Sequence, residues 1–219
     1  MLASSLRSPI SLIPTPPSPG HQAIAWLEEK LDHLDPSTSV FVNFNSGGFS
    51  LDAVHFSAMV SAYHVISHSG DCGTRGKEAA ARAPKLHVHC FSPSGSTKQR
   101  PSSMAPYEKA AEILKGLNLD RIDFALVKGR ARPQSAAALV RYVDANSRVL
   151  IHDWDDDTRK YYKYALDLYD EVDHVQDGKG LAVLKVKDGA DKDNSLQHWD
   201  GKMMDDGRGA QVRTDMALR

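Results

Sequence analysis

Cysteine is scarce in this sequence: Cys72 and Cys90 are the only two in 219 residues, and they have no CxxC spacing. Two are too few for a disulfide framework, and a reducing compartment is expected for them. Charge of one sign is missing as well, since 27 Lys and Arg stand against 28 Asp and Glu for a net of −1. No global field then draws the chain to nucleic acid or to an anionic membrane, and such a partner would need a local patch. Long apolar runs are absent too. Each is broken by His, Ser or Arg well short of the roughly 18 residues that span a bilayer, so no membrane span is expected. What is present is ordinary globular composition, 41% hydrophobic and 25% charged with 15 glycines. That excludes collagen-like, coiled-coil and wholly disordered chains and leaves enough apolar side chains for a core.

Acids are also missing from the first 27 residues, which hold one arginine, Arg7, and five prolines: Pro9, Pro14, Pro16, Pro17 and Pro19. A segment of this kind does not bury enough apolar surface to order itself. Residues 1–21 are therefore expected to form a flexible or targeting arm. Its Ser-rich, acid-poor character suits a transit peptide for a chloroplast or mitochondrion, the alternative being a cytoplasmic protein with a surface arm. Residues 22–187 are expected to be one domain, and 188–219, rich in Asp, Lys and Gly with an isolated Trp199, a flexible tail.

Within the domain, Ala23, Ile24, Trp26, Leu27 and Leu31 have the spacing of one helix face, ending near Asp35-Pro36. A β-run Ser39–Phe44 follows, then a Ser-Gly-Gly turn, a helix over Leu51–Ser61 and a strand Tyr63–Ser67. Gly70–Gly76 reads as a loop, Lys77–Ala83 as a short helix and Lys85–Phe91 as a strand. Tyr107–Leu117 is amphipathic, Ile122–Val127 a strongly apolar strand, Arg132–Val143 helical and Arg148–Ile151 a strand. Thr158–Tyr169 is expected to be a helix. Glu171–Val175 and Leu181–Val186 pair across an Asp-Gly-Lys-Gly turn as an antiparallel hairpin. Helices alternating with short apolar strands require a mostly parallel sheet covered on both faces.

The segment Val40-Phe41-Val42-Asn43-Phe44-Asn45-Ser46-Gly47-Gly48-Phe49-Ser50 is similar to the first motif of a branch of the class I S-adenosylmethionine-dependent methyltransferases. That motif carries an acid followed by Gly-Ser-Gly-Gly-Ser-Thr. Ile66-Ser67-His68 falls where the branch has a Glu-His pair after its second strand. The run Leu126 to Arg132 resembles its Val-Asp-Gly-Arg motif. Ser147 to Trp154, with Arg159 and Tyr161-Tyr162, resembles its segment ending in His-Asp-Trp and the helix that follows. Gly180 to Leu184 matches its last strand. The resemblance covers roughly Ser37 to Lys187 in order and spacing. It implies a seven-stranded, mostly parallel Rossmann-like sheet with a C-terminal antiparallel hairpin and helices on both faces. It places the cofactor at the carboxyl ends of the first strands.

The resemblance also implies site residues. Asn43, Asn45, Ser46, Gly47, Gly48, Ser67, His68, Lys128 and Gly129 occupy the cofactor-binding positions, and His152 and Asp153 the catalytic ones. Gly47 and Gly48 would let the backbone approach a ligand closely. The acids of the family are replaced, however. Asn43 stands at the end of the first strand, Ser67 at the end of the second, with one oxygen instead of the two that would hold both ribose hydroxyls, and Lys128 at the end of the fourth. S-adenosylmethionine is a sulfonium cation, and a lysine about 5 Å away costs about 3 kcal/mol at an effective dielectric near 20, about a hundredfold in affinity. His152 could serve as a general base with Asp153 orienting it. In the structural alternative, Asp153 caps a helix and Trp154 packs.

Other clusters have alternatives of the same kind. Asp153, Asp155, Asp156 and Asp157 could take Mg²⁺ or Ca²⁺, or be a solvated acidic loop with a helix cap. His64, His68, His87 and His89 could meet on neighbouring strands around zinc, but match no compact zinc motif and are expected to be part-buried imidazoles. No metal is expected. Lys98, Arg100, Arg130, Arg132, Arg148 and Arg159 are expected to be a solvated face, and no nucleic-acid motif is present. Tyr161, Tyr162, Tyr164 and Tyr169 are expected to pack along one helix. The sequence therefore points to a methyltransferase-like fold with an eroded cofactor site, a non-catalytic binding or scaffold subunit reached through its terminal arms. The alternatives are an active methyltransferase, or a binder of nucleotides or phosphometabolites through Gly47-Gly48 and Lys128.

Overall fold

A strand that is apolar at every position, as Phe124–Val127 is, is stable only where both faces of its sheet are covered, and the chain is built around such a sheet. The computed structural model describes residues 21–45, 52–67, 72–91, 105–128, 132–155, 163–176 and 178–192. The elements are α1 (His21–Asp32), β1 (Val40–Asn45), α2 (Asp52–Ala58), β2 (Ala62–Ser67), α3 (Cys72–Arg82), β3 (Leu86–Cys90), α4 (Ala105–Gly116) and β4 (Phe124–Val127). They continue with α5 (Arg132–Leu139), a 3-10 turn (Val140–Tyr142), β5 (Arg148–His152), a second 3-10 turn (Lys163–Asp167), β6 (Tyr169–Val175) and β7 (Leu181–Val186).

The strands form one seven-stranded sheet in the order β3-β2-β1-β4-β5-β7-β6. All pairs from β3 to β5 are parallel, and β7 runs antiparallel to both β5 and β6. The expected α/β fold with its terminal hairpin is therefore the fold observed. Alternation along β1 divides the core. Phe41 packs with Leu27, Phe56 and Tyr63 on the α1–α2 side, while Val42 and Phe44 pack with Leu114, Leu139 and Val140 on the α4–α5 side. Phe41 lies between Tyr63, at 4.6 Å, and Phe124, at 6.3 Å, with all three rings nearly parallel.

Asp123 ties the starts of three strands together. Its carboxylate accepts the Val40 N–H at 2.8 Å and pairs with Arg121 at 2.6 Å. Its N–H donates to the Val40 carbonyl, and its own carbonyl accepts from the Arg148 N–H. Part-buried, its carboxylate has a hydrogen-bond partner on each oxygen, the condition under which a carboxylate is stable in a core.

Three expectations are corrected. Cys72 and Cys90 are joined by a disulfide, 18 positions apart in sequence, and the described residues include no free cysteine. Parallel pairing of β2 with β3 carries Cys90 back over the first residue of α3, a tertiary proximity that cysteine spacing does not encode. Helix α3 begins at Cys72, so much of the expected Gly70–Gly76 loop is helical. Glycine is about 1 kcal/mol worse than alanine in a helix, and packing of the buried Cys72 and Gly76 overrides that preference. Tyr169 does not follow on a helix. It opens β6, fully buried, and its Oη donates to the Ala136 carbonyl at 2.7 Å. Tyr164 falls in the 3-10 turn Lys163–Asp167, while Tyr161 and Tyr162 lie outside the described residues. The first residues of the expected tail also return to the domain, since Lys192 Nζ donates to the Val143 carbonyl and Arg141 Nε to that of Lys192, each at 2.9 Å.

Replacing Tyr169 tests this placement. Tyr169→Phe removes one buried hydrogen bond and lowers stability by about 1 kcal/mol, whereas Tyr169→Ala opens a cavity and costs about 3–5 kcal/mol. Urea denaturation reads both, and equal small losses for the two variants would mean that the ring is not in the core.

Candidate functional site

In an open parallel sheet, ligands bind beyond the carboxyl ends of the strands where the strand order reverses. Here that point lies between β1 and β4. Register sets the residues along this edge in a row. Cys90 is opposite Ser67, Ser67 opposite Asn45, and Phe44 opposite Val127. Lys128 follows Val127 and donates its N–H to the Phe44 carbonyl at 2.8 Å, and His152 ends β5.

Asn43 is 3% exposed. Its Nδ2 donates to Tyr63 Oη at 3.1 Å, and its Oδ1 has no hydrogen-bond partner among the described residues. Asn43, Tyr63, Leu126, Lys128 and Leu150 line one narrow cleft under α1, with room for about one water molecule. No carboxylate is among its described lining residues. Ser67 is buried, and its carbonyl accepts the Phe91 N–H at 3.0 Å. Asn45 is the last residue of β1. Ser46, Gly47, Gly48, His68 and Gly129 lie outside the described residues.

At the end of β5 the chain turns through Asp153, whose φ of 58° is a left-handed conformation that Asp tolerates better than most residues. The turn brings the carboxylate onto two partners. Arg132 Nη2 donates to Oδ2 at 2.5 Å, and His152 Nδ1 lies 2.8 Å from Oδ1. Burial alone would raise the Asp153 carboxyl, but the His152 hydrogen bond and the charges of His152, Arg132 and Lys179 hold it at about 2. Asp153 thus orients His152 and has both oxygens engaged, leaving Nε2 as the ring nitrogen of His152 that this pairing does not use. Trp154 is buried, with its N–H on the Gly180 carbonyl at 3.2 Å. Gly180 takes a φ of 81°, and a Cβ there would meet His174 Nε2 at 2.8 Å.

Arg132 is the site residue that the sequence concealed. Expected on a solvated face, it is 7% exposed at the first residue of α5 and bound to Asp153, 21 positions away. Arg148 also turns back onto the chain, donating to the Ala145 and Ser147 carbonyls. Lys98, Arg100, Arg130 and Arg159 lie outside the described residues, as do Asp156 and Asp157 of the acidic run.

The histidines meet as adjacent strands allow. His64 Nδ1 is 3.2 Å from His89 Nε2, and the His64 ring stacks 4.9 Å from that of His87. One nitrogen of the first pair donates to the other, which needs the accepting nitrogen to carry no proton. Burial, and then the like charges of His87 and His89, lower the His64 imidazole to about 4. Among the described residues, no group of three or more His, Cys, Asp or Glu is arranged to hold a metal ion.

With this geometry in place, comparison with solved structures is informative. A ribosomal protein L11 methylase from Lactobacillus delbrueckii subsp. bulgaricus superposes with a TM-score of 0.50 at 13% identity, over 75% of this chain and 78% of that one. A methyltransferase from Geobacter sulfurreducens gives 0.50 at 11% identity, over 80% and 82%. The fold is that of the class I methyltransferases. The chain spans 60% of the length of another solved neighbour, MtNAS in complex with MTA and tNA, at a TM-score of 0.47. No protein-family model and no curated protein matches the sequence. At such identities the methyltransferase likeness describes the backbone, and function has to be argued from side chains.

Two outcomes follow. Arg132→Met removes the guanidinium from the part-buried Asp153 carboxylate and destabilises by about 2 kcal/mol at neutral pH, measured by chemical denaturation; a loss under 1 kcal/mol would disprove the pairing. For His64, the folded value of about 4 lies below the ordinary 6.5, so the unfolded chain takes up the proton first as pH falls. Its contribution is complete above about pH 6.5 and declines towards pH 4, by up to about 3 kcal/mol. Unfolding midpoints at several pH values across this window should fall less steeply for His64→Phe than for the parent chain.

Proposed function

We propose that this is a methyltransferase-fold protein whose pocket no longer holds S-adenosylmethionine, and that it serves as a non-catalytic binding or scaffold subunit of a larger, organellar assembly. One observation carries the reading: Asn43 and Lys128 line the same cleft, and no described lining residue supplies a carboxylate. A sulfonium donor is positively charged, and a neutral amide and an ammonium group do not balance it. The described lining residues therefore do not match the charge of this cofactor. Ser67 supports the reading from the second strand, because a single hydroxyl replaces the two coplanar oxygens that hold a ribose diol. Asp153 does not compensate, since Arg132 and His152 already engage both of its oxygens.

An active enzyme remains the second reading, favoured by the orientation of His152. With Nδ1 held by Asp153, the lone pair of Nε2 is directed away from the carboxylate, as a general base requires.

Calorimetric titration with S-adenosylmethionine separates the two. The scaffold reading expects no saturable binding up to about millimolar donor. It further expects that Lys128→Asp combined with Asn43→Asp raises affinity by about a hundredfold or more, since one cation is removed and two anions restored. Micromolar binding by the parent chain, weakened by Gly47→Val, would overturn it.

A further inference from the structure

Helix α3 has little of its own to hold it on the sheet. Its sequence, CGTRGKEAAAR, buries only Cys72 and Gly76, with Ala79 partly packed beside them. Small side chains contribute little apolar area, and glycine inside a helix is less favourable than alanine. The covalent bond from Cys72 to Cys90 ties its first residue to the last residue of β3. Closing a loop of this size restrains the unfolded chain.

The two sulfurs are not equivalent. Cys72 is 1% exposed and begins an 11-residue helix, where the unpaired N–H groups and the helix dipole favour a thiolate. Cys90 is exposed on the edge strand of the sheet. Thiol–disulfide exchange is fastest when the accessible sulfur is attacked and the lower-pKa thiol leaves. Attack at Cys90 with departure of Cys72 meets both conditions. Cys90 is also opposite Ser67, and the next residue, Phe91, donates its N–H to the Ser67 carbonyl at 3.0 Å. The bond therefore lies at the pocket end of the sheet, beside the residue that ends β2.

We propose that Cys72–Cys90 is a redox clasp, opened by a dithiol reductant, whose opening releases the start of α3 from the pocket end of β3. In the first step a thiolate of the reductant bonds to Cys90 Sγ, the Cys72–Cys90 bond breaks, and Cys72 leaves as a thiolate. In the second, the other thiol of the reductant attacks its own sulfur in the mixed disulfide and frees Cys90. The protein disulfide gains two electrons, the dithiol loses two in closing to its own disulfide, and its two protons end on Cys72 and Cys90. This device is independent of whether S-adenosylmethionine binds.

The test uses the full chain equilibrated in mixtures of reduced and oxidised dithiothreitol, with free thiols counted by alkylation and mass spectrometry and backbone amides followed by hydrogen exchange. On reduction, amides of residues 72–82 should exchange about tenfold faster or more, with those of β5 and β7 changing less than about twofold. Acid quenching early in the reaction should trap the reductant on Cys90 and not on Cys72. A Cys72→Ser, Cys90→Ser double variant should match the reduced parent in every buffer. Should that variant not fold, reduction of the already folded parent gives the same reading. Unchanged exchange in 72–82 after full reduction, an adduct on Cys72, or loss of protection throughout the sheet would each overturn the clasp.

Discussion

Strand β1 governs the rest of this molecule. It is hydrogen-bonded to β2 on one side and β4 on the other, and both of its faces lie beneath helices. Phe41, Val42, Asn43 and Phe44 are all buried as a result. An ionised side chain at 43 would have to leave water, with Lys128 as the one cation among the described lining residues, at a desolvation cost of several kcal/mol. An amide avoids that cost and gains a bond to Tyr63 Oη. Asparagine at 43 thus suits the strand and adds no negative charge to the cleft that it lines.

A similar economy operates at the end of β5. The left-handed turn at Asp153 folds its carboxylate back on Arg132 and His152, closing a local circuit of charge inside the domain. Such a circuit is stable because both charges have hydrogen-bonded partners, and it would be costly to break from either side. It also leaves little of the Asp153 charge to act on anything in the cleft. The end of the sheet thus combines an internally neutralised acid with Lys128 at the mouth of the cleft.

The sheet was legible in the sequence because its central strands are uniformly apolar and separated by helix-length segments. A run such as Phe124–Val127 has no other stable place than between two covered layers. Motif order nominates Asn43, Ser67, Lys128, His152 and Asp153 as site residues, and the fold sets them towards the carboxyl ends of β1, β2, β4 and β5. Arg132 was not recoverable, because a cation on a helix start reads as solvated until the fold sets a carboxylate 21 residues away against it. The Cys72–Cys90 bond was hidden for the same reason, since parallel pairing of β2 with β3 creates that proximity. Tyr169 was misassigned because a tyrosine-rich stretch fits helical and strand periods equally well over so few residues, and only burial against Ala136 decides between them.

The outermost strand at the far side of the sheet, β6, pairs irregularly with β7 between Glu171 and Asp173, and Asp170 and Asp173 stand exposed along it. A kinked border fringed with carboxylates is a poor template for a further strand, because an incoming backbone would lose register at the kink and meet repulsion from any acid of its own. Amyloid-like stacking and strand donation are therefore disfavoured on that flank. A protein that associates with this one there must recognise side chains and helix surfaces, a mode in which selectivity is written in shape and charge and not in main-chain amides.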